Sequence, residues 1–268
     1  MKIAVTGYRG QIGSRMVGLG YAPMDLELTK PLSIAREVQR VKPNIILHCA
    51  GISSIDVCEK NYEVAIDVNV RGVFNLCEEA RKIGAQVVLL SSDYVFNGGR
   101  GKYVESDELD PVNNYGMTKM GAEAVINIQG GKIVRLSRTF NFASPDLRQY
   151  MKDVVAGKPV FIPDFLYRSY CNTDLVCESL DYYLQYFNDM PDILHIAGDG
   201  EWSYFQFISR FFQMFFGEEK LNLIHPRYIN ENSFSSRPLK CGISVDLAKS
   251  LGVPVWSLDE SIERMKNG

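Results

Sequence analysis

A tyrosine and a lysine four residues apart, in Tyr115-Gly116-Met117-Thr118-Lys119, fall on one face of a helix. A nearby ammonium lowers the pKa of a phenol, so the pair predicts that Tyr115 exchanges a proton with a substrate oxygen near neutral pH. Some twenty residues upstream, Ser91-Ser92-Asp93-Tyr94-Val95-Phe96-Asn97-Gly98 closes a predicted strand. A hydroxyl at Ser92 would orient and polarise a carbonyl that Tyr115 protonates. Near the start, Thr6-Gly7-Tyr8-Arg9-Gly10-Gln11-Ile12-Gly13 has the spacing G-x-x-G-x-x-G. Glycines there let the backbone turn sharply and approach a pyrophosphate, which the next helix N-terminus stabilises. Gly7, Arg9, Gly10, Gln11, Ile12 and Gly13 are therefore expected to bind a dinucleotide. Together the three segments point to hydride transfer at a carbonyl.

The elements that must position these groups alternate. Lys2 to Val5, Asn44 to His48, Gln86 to Ser91 and Lys132 to Leu136 read as strands, with helices over Ile12 to Val17, about Asn61 to Ile83, and Tyr115 to Ile128. Such alternation predicts an α/β fold, a Rossmann-like doubly wound parallel sheet whose strand ends hold ligands. After about Ser137 the pattern loosens, although Ile193 to Ala197 reads as one more strand and Tyr204 to Phe216 as an amphipathic helix facing a second small core. The expected division is a dinucleotide-binding domain, 1–140 plus about 166–198, with a smaller discontinuous substrate lobe, about 141–165 plus 199–268.

Composition narrows the field. A net charge of −3, with Lys and Arg scattered along 268 residues, gives no basic stripe to follow nucleic acid. The apolar runs Ile45 to Leu47 and Val87 to Leu90 are too short to cross a bilayer, and Met1-Lys2 leads straight into a strand, so a cytoplasmic protein is expected. None of the six cysteines forms a C-x-x-C pair and the three histidines are dispersed, so free thiols and no metal site are expected.

The adenosine end of the dinucleotide is read less directly. Gly18, Gly20 and Pro23 cut the first helix short, leaving Met24-Asp25-Leu26-Glu27-Leu28 as the stretch for a second strand. Asp25 either accepts from ribose hydroxyls or is a plain surface carboxylate. Arg9, inside the glycine turn, suits a 2′-phosphate, which favours NADP(H) over NAD(H).

These segments resemble the extended short-chain dehydrogenases, the NAD-dependent epimerase/dehydratase superfamily, and within it the dTDP-4-dehydrorhamnose reductases. That family carries a segment like S-T-D-Y-V-F-D-G, a Y-x-x-x-K helix, and near the C-terminus R-P followed by small polar residues. Here they stand as Ser91 to Gly98, Tyr115 to Lys119, and Ser236-Arg237-Pro238. Lys42-Pro43-Asn44-Ile45-Ile46 leading to Cys49-Ala50-Gly51 looks like the family's third strand and cofactor-facing turn, and Asp56-x-x-Glu59 and Asn69 also match. The resemblance covers nearly the whole chain. It implies a catalytic trio of Ser92, Tyr115 and Lys119, with Lys119 also holding the nicotinamide ribose. It adds Ala50, Gly51, Asn69 and Ser91 to the cofactor site. It places Ser92, Asp93, Tyr115, Arg168 and Arg237 against a nucleotide-sugar, Arg237 at its diphosphate. It also implies a homodimer and a role in polysaccharide biosynthesis.

Related chemistries separate at Asp93 and Tyr94. The 4,6-dehydratases resemble this chain but carry an Asp-Glu pair after the serine or threonine, and Tyr94 stands where their base would be. The epimerase-reductases that make GDP-fucose usually have a cysteine where Asp93 stands. Simple reduction of a 4-keto-6-deoxy sugar is the leading expectation. A nucleotide-sugar epimerase using the same trio stays open, as does a non-catalytic regulatory subunit like that of methionine adenosyltransferase. Two departures bear on the substrate. Arg138 in Arg135-Leu136-Ser137-Arg138 replaces the aromatic of R-T-S-W, and Tyr167-Arg168-Ser169-Tyr170 replaces G-S-P-T and looks more like the wider sugar epimerases.

Overall fold

The computed structural model describes residues 1–228 and 237–267. The chain forms two compact units. The first comprises Met1–Phe96, Glu108–Leu136 and Tyr183–Leu194. Its framework is a six-stranded sheet made of β1 (Ile3–Thr6), β2 (Ala22–Met24), β3 (Ile45–His48), β4 (Gln86–Ser92), β5 (Lys132–Leu136) and β6 (Ile193–Ile196). The spatial order is β6-β5-β4-β3-β1-β2. β1 pairs parallel with both β2 and β3, β3 with β4, and β4 with β5. Successive connections leave β1 in opposite directions, so the topological switch point lies between β1 and β3, where doubly wound sheets bind ligands. The Rossmann-like class expected from the alternation is the fold observed.

The helices of this unit are α1 (Gln11–Gly18), α2 (Pro31–Val41), α3 (Ile55–Lys60), α4 (Tyr62–Ile66), α5 (Gly72–Lys82) and α6 (Asn114–Gln129). Ile34, Val38 and Val41 of α2, Val73, Leu76 and Ala80 of α5, and Ala122 and Ile126 of α6 share one core with Ala4, Ile46, Leu89 and Ile133 of the sheet. Burying such side chains is worth about 1.5–3 kcal/mol each for the larger aliphatics, which is what holds the helices on this face.

Two readings need correction. The second strand is Ala22–Met24, not Met24 to Leu28, and it pairs through Ala4↔Ala22, Val5↔Pro23 and Thr6↔Met24. It is an edge strand, where a residue without an N–H is tolerated. The long helix expected over Asn61 to Ile83 is interrupted. Between α4 and α5 the backbone forms one π-helical stretch, Asp67–Arg71, a geometry that hydrophobic spacing does not report. Helix α2 went unread, although Pro31 at its first position and apolar residues at 34, 38 and 41 are ordinary helix signals.

The second unit comprises Asn97–Asp107, Ser137–Tyr182 and His195–Gly268. The aromatic run forms the helix its spacing predicts, Tyr204–Phe216, started by a capping box between Ser203 and Gln206. Phe207, Ile208, Phe211 and Phe212 bury one face of it against Phe140, Ile162, Tyr170 and Ile262. Tyr170 and Phe207 stack at 4.4 Å between centroids.

Candidate active site

The glycine turn sits at the switch point. Gly7 follows β1 with φ +64°, which a side chain rarely adopts, and a Cβ there would lie 2.7 Å from the backbone nitrogen of Ala50 after β3. A Cβ at Gly13 would run into the Gly7 carbonyl. The Gly10 N–H donates to that carbonyl at 2.9 Å, and Gly10 then starts α1 without any side-chain cap. Bare backbone therefore faces the ends of β1 and β3 at a helix N-terminus. The cradle has the shape and the donors that a pyrophosphate requires. Gln11 and Ile12 are the first residues of α1, Ala50 stands against Gly7, and Gly51 packs on the Asn69 side chain.

Arg9 and Asp25, the two candidate readers of the adenosine ribose, meet each other. Arg9 Nη2 lies 3.2 Å from Asp25 Oδ2, both side chains well exposed, and the guanidinium covers the Tyr8 ring at 4.9 Å. Asp25 follows β2 directly. Its N–H donates to Oε1 of buried Glu37 at 2.8 Å. Arg40 in turn donates to both oxygens of Glu37, and its hydrogen bond holds that carboxyl below its ordinary pKa against the opposing effect of burial. The loop carrying Asp25 is thus tied to α2.

The trio comes together at the carboxyl end of β4. Ser92 is the last residue of that strand, and a short 3-10 turn, Asp93–Val95, leads away. The Ser92 hydroxyl donates to Asp93 Oδ1 at 3.1 Å and accepts from Tyr94 N–H at 3.3 Å. The Tyr115 phenol lies close enough for Ser92 to act on its pKa. Asp93 is buried. Expected at the substrate, it accepts from the Ser92 hydroxyl.

Helix α6 is fixed at its start by three contacts. Asn113 Oδ1 accepts from Gly116 N–H at 2.8 Å. Glu59 accepts from the Asn114 backbone and side chain at 2.8 and 3.0 Å. Gly116 packs so closely on the Tyr94 carbonyl that a Cβ would overlap it. The glycine between tyrosine and lysine thus has a steric reason that the Y-x-x-x-K pattern does not reveal. The Tyr94 and Tyr115 rings meet edge to face at 5.6 Å.

One expectation about this centre is overturned. The Lys119 ammonium was expected to lower the phenol pKa. Desolvation instead pushes Tyr115 well above its ordinary value, and the nearby Ser92 hydroxyl opposes this only in part. Lys119 Nζ is engaged elsewhere, donating to the Leu90 carbonyl at 2.6 Å. Burial pushes Lys119 down to about 8, against the attraction of Glu123 and Cys49. Tyr115 is accordingly a protonated phenol at neutral pH.

Asn69, expected at the cofactor, occupies the π-helical stretch with its amide fully engaged. Oδ1 accepts from Ile52 N–H at 2.8 Å, while Nδ2 donates to the Ile52 carbonyl at 2.9 Å and to Thr118 Oγ1 at 3.0 Å. The Thr118 hydroxyl donates to the Tyr115 carbonyl at 2.8 Å. The turn after β3 and helix α6 are therefore pinned to one side chain. Ser91 is buried on β4.

In the second unit, Arg168 is buried and its Nη atoms donate to the carbonyls of Tyr167 at 2.6 Å, Pro238 at 2.8 Å and Leu239 at 3.3 Å. It was expected to touch substrate. Its guanidinium instead holds the two residues after Arg237, which is half-buried. Ser236, the first residue of the Ser236-Arg237-Pro238 match, lies outside the described residues. Arg138 pairs with Asp146 at 2.7 Å. Among the described residues no helix is long and apolar enough to cross a membrane, and no group of three or more His, Cys, Asp or Glu side chains could hold a metal ion.

The chain is similar to several known proteins. The spore coat polysaccharide biosynthesis protein SpsK of Bacillus subtilis is 29% identical over 222 residues, covering 77% of this chain and 76% of that protein. A dTDP-4-dehydrorhamnose reductase from Burkholderia thailandensis is 33% identical over 153 residues, covering 54% of this chain and 51% of the reductase. The β subunit of methionine adenosyltransferase 2 from Xenopus tropicalis is 35% identical over 113 residues, 41% of this chain and 34% of the subunit. The matches to the reductase and to the transferase subunit thus span about half and about a third of those proteins. The fold matches the crystal structure of dTDP-4-dehydrorhamnose reductase from Bacillus anthracis in complex with NADP, with a TM-score of 0.87 and 23% identity over 100% of this chain and 99% of that one. The family model described as RmlD substrate binding domain matches residues 1–263, and the chain belongs to that family.

Proposed function

We propose that the protein is a nicotinamide-dependent reductase of a nucleotide-linked 4-keto-6-deoxy sugar. The observation that carries this reading is the half-buried, protonated Tyr115 phenol beside the strand-end serine Ser92. A bound reduced nicotinamide supplies the hydride to the carbonyl carbon. The chain's own residues handle the oxygen. Tyr115 transfers its phenolic proton to the oxygen as negative charge develops there, and Ser92 holds that oxygen by a hydrogen bond. The single Ser92 proton, given to Asp93 Oδ1 in the free protein, turns to the substrate oxygen, and Lys119 offers the cofactor a donor that Leu90 does not use.

The glycine cradle of 7–13, together with Ala50 and Gly51, is assigned to the dinucleotide. Arg9 is assigned to a 2′-phosphate, which favours NADP(H), whereas Asp25 beside it favours a free ribose hydroxyl and hence NAD(H). Arg237 is assigned to the substrate diphosphate, its segment held by Arg168. Cofactor handling is assigned to the first unit and sugar handling to the second.

The test is oxidation of NADPH and NADH against a panel of dTDP-, UDP- and GDP-linked 4-keto-6-deoxy sugars, followed by loss of nicotinamide absorbance, with Tyr115→Phe as control. Turnover abolished in Tyr115→Phe supports the reductase. Interconversion of two sugars without net cofactor oxidation would make the protein an epimerase. Tight cofactor binding without turnover on any sugar would overturn the enzyme reading. It would favour a regulatory role, the direction in which the similarity to the transferase subunit points.

A further inference from the structure

Two buried polar atoms near the carboxyl end of the sheet have no hydrogen-bond partner among the described residues: His48 Nε2 and Ser91 Oγ. The residues are 1% and 5% exposed. They lie on one face of the sheet. Ile46 and Leu89 belong to the core packed against α5 and α6. His48 and Ser91 each stand two residues further along the same strands, where side chains return to the same side. His48 pairs in register with Leu89, so Ser91 is one strand over and two residues on.

Lys119 reaches this place from above. It precedes Ala122 and Ile126 by three and seven residues, which puts it on the face of α6 that covers the core. Its Nζ donates to the carbonyl of Leu90, the residue between Leu89 and Ser91. Its charge is near enough to add to the effect of burial, which brings the His48 pKa down to about 3.

The proton on the histidine is set from behind. Ala50 N–H donates to Thr6 Oγ1 at 3.3 Å, and Thr6 Oγ1 lies 2.8 Å from His48 Nδ1. The Thr6 hydroxyl is buried, and Nδ1 is its acceptor among the described residues. Its proton therefore points to Nδ1, and the neutral imidazole carries its own proton on Nε2. A donor at Nε2, a hydroxyl at Ser91 and an ammonium with donors beyond Leu90 all belong to this one region beneath α6.

We propose that His48, Ser91 and Lys119 bind one internal water molecule beneath α6, and that His48 and Ser91 are positioning residues for the Lys119 ammonium. The water oxygen accepts from His48 Nε2 and Lys119 Nζ, and one of its hydrogens is donated to Ser91 Oγ. Three bonds, two of them to buried atoms with no other partner among the described residues, is the usual complement of a buried water. The Leu90 carbonyl and the water then hold the ammonium from two sides, leaving its third N–H for the bound cofactor. Ser91 acts through Lys119 rather than on the cofactor itself. This rests on the reading of Lys119 as part of the reductase centre.

The test combines a crystal structure of the whole protein, with and without NADPH, at a resolution that shows waters, with kinetics of His48→Phe, His48→Gln and Ser91→Ala. The expected map has a water within hydrogen-bond distance of Nε2 and Ser91 Oγ in both states. His48→Phe should lose kcat roughly ten- to hundredfold, the scale of a small misplacement in an active site. His48→Gln, whose amide nitrogen stands near the place of Nε2, should restore most of it, a rescue that a merely space-filling histidine would not show. Empty density, a nicotinamide atom in that position, or unchanged kcat in Ser91→Ala and His48→Phe together would overturn the proposal. Should His48→Phe fail to fold, Ser91→Ala and the map decide. If no sugar is turned over at all, the map and the Nε2 proton seen by nitrogen-15 NMR still test the water site, so the two failures are distinguishable.

Discussion

Asn69 Nδ2 lies 3.0 Å from Thr118 Oγ1, and through that hydroxyl the π-helical stretch after α4 is joined to the backbone of Tyr115. The same amide holds both backbone groups of Ile52. The turn proposed to face the cofactor and the residue proposed to donate the proton thus share a single support.

Asn69→Leu should therefore lower kcat more than it weakens cofactor binding. It leaves the part-buried Ile52 N–H without its partner and the C=O with the Cys58 thiol, a loss below the figure of about 1–3 kcal/mol for a fully buried polar group. Urea midpoints should report the stability loss, and a fluorescence titration with NADPH alongside turnover should separate the two effects.

Tyr115→Phe should reduce turnover by about 10²–10⁴, the usual contribution of a positioned proton donor. The phenol is held in place by the Tyr94 ring and by the start of α6 as well as by Ser92, so circular dichroism and cofactor affinity should remain those of the wild type. Equal loss of cofactor binding would show that the residue serves the pocket rather than the proton.

Arg9 and Asp25 should act oppositely on cofactor choice. Arg9→Ala is expected to raise KM for NADPH and leave NADH little changed, while Asp25→Ala is expected to weaken NADH and favour NADPH. Their mutual ion pair is solvent-exposed and worth at most about 1 kcal/mol, so neither change should alter thermal stability. A KM ratio that moves the same way in both variants would contradict these roles.

Two pH windows follow from burial. Lys119 sits at about 8 and works as an ammonium, so kcat/KM should fall as pH rises through about 8, while Tyr115 stays protonated beyond that point. His48 is held at about 3 against an ordinary 6.5, so between those values the unfolded chain binds the extra proton. Stability from this group is complete above about 6.5 and is lost progressively as pH falls toward 3. Urea unfolding across that range should show the decline, and His48→Gln should flatten part of it.

Much of this centre could be read in the chain itself. The turn from Gly7 to Gly13, the strand ending at Ser92 and the Tyr115–Lys119 pair are local signals, because glycine spacing, alternation and an i, i+4 offset each depend on near neighbours. What escaped reading depends on distant contacts. Gly116 is small because the Tyr94 carbonyl lies against it. Asn69, in the π-helical turn, bonds Ile52 and Thr118, far from it in the chain. Arg168 carries a charge suited to a phosphate, yet its fork is occupied by the carbonyls of Tyr167, Pro238 and Leu239. The phenol pKa went the wrong way for the same reason, since a lysine four residues along says nothing of how much water the fold excludes.

The sixth strand of the sheet, Ile193–Ile196, lies beside β5 although a long stretch of the second unit is strung between them in the chain. During synthesis β5 must therefore emerge and wait as a bare edge, its N–H and C=O groups open to any passing strand. Until the ribosome has delivered Asp192, whose carbonyl takes the Ile133 N–H at 2.7 Å, the nascent sheet is exposed to mispairing. Truncations ending soon after Leu136 should consequently aggregate even though they carry the glycine turn, the serine, the tyrosine and the lysine.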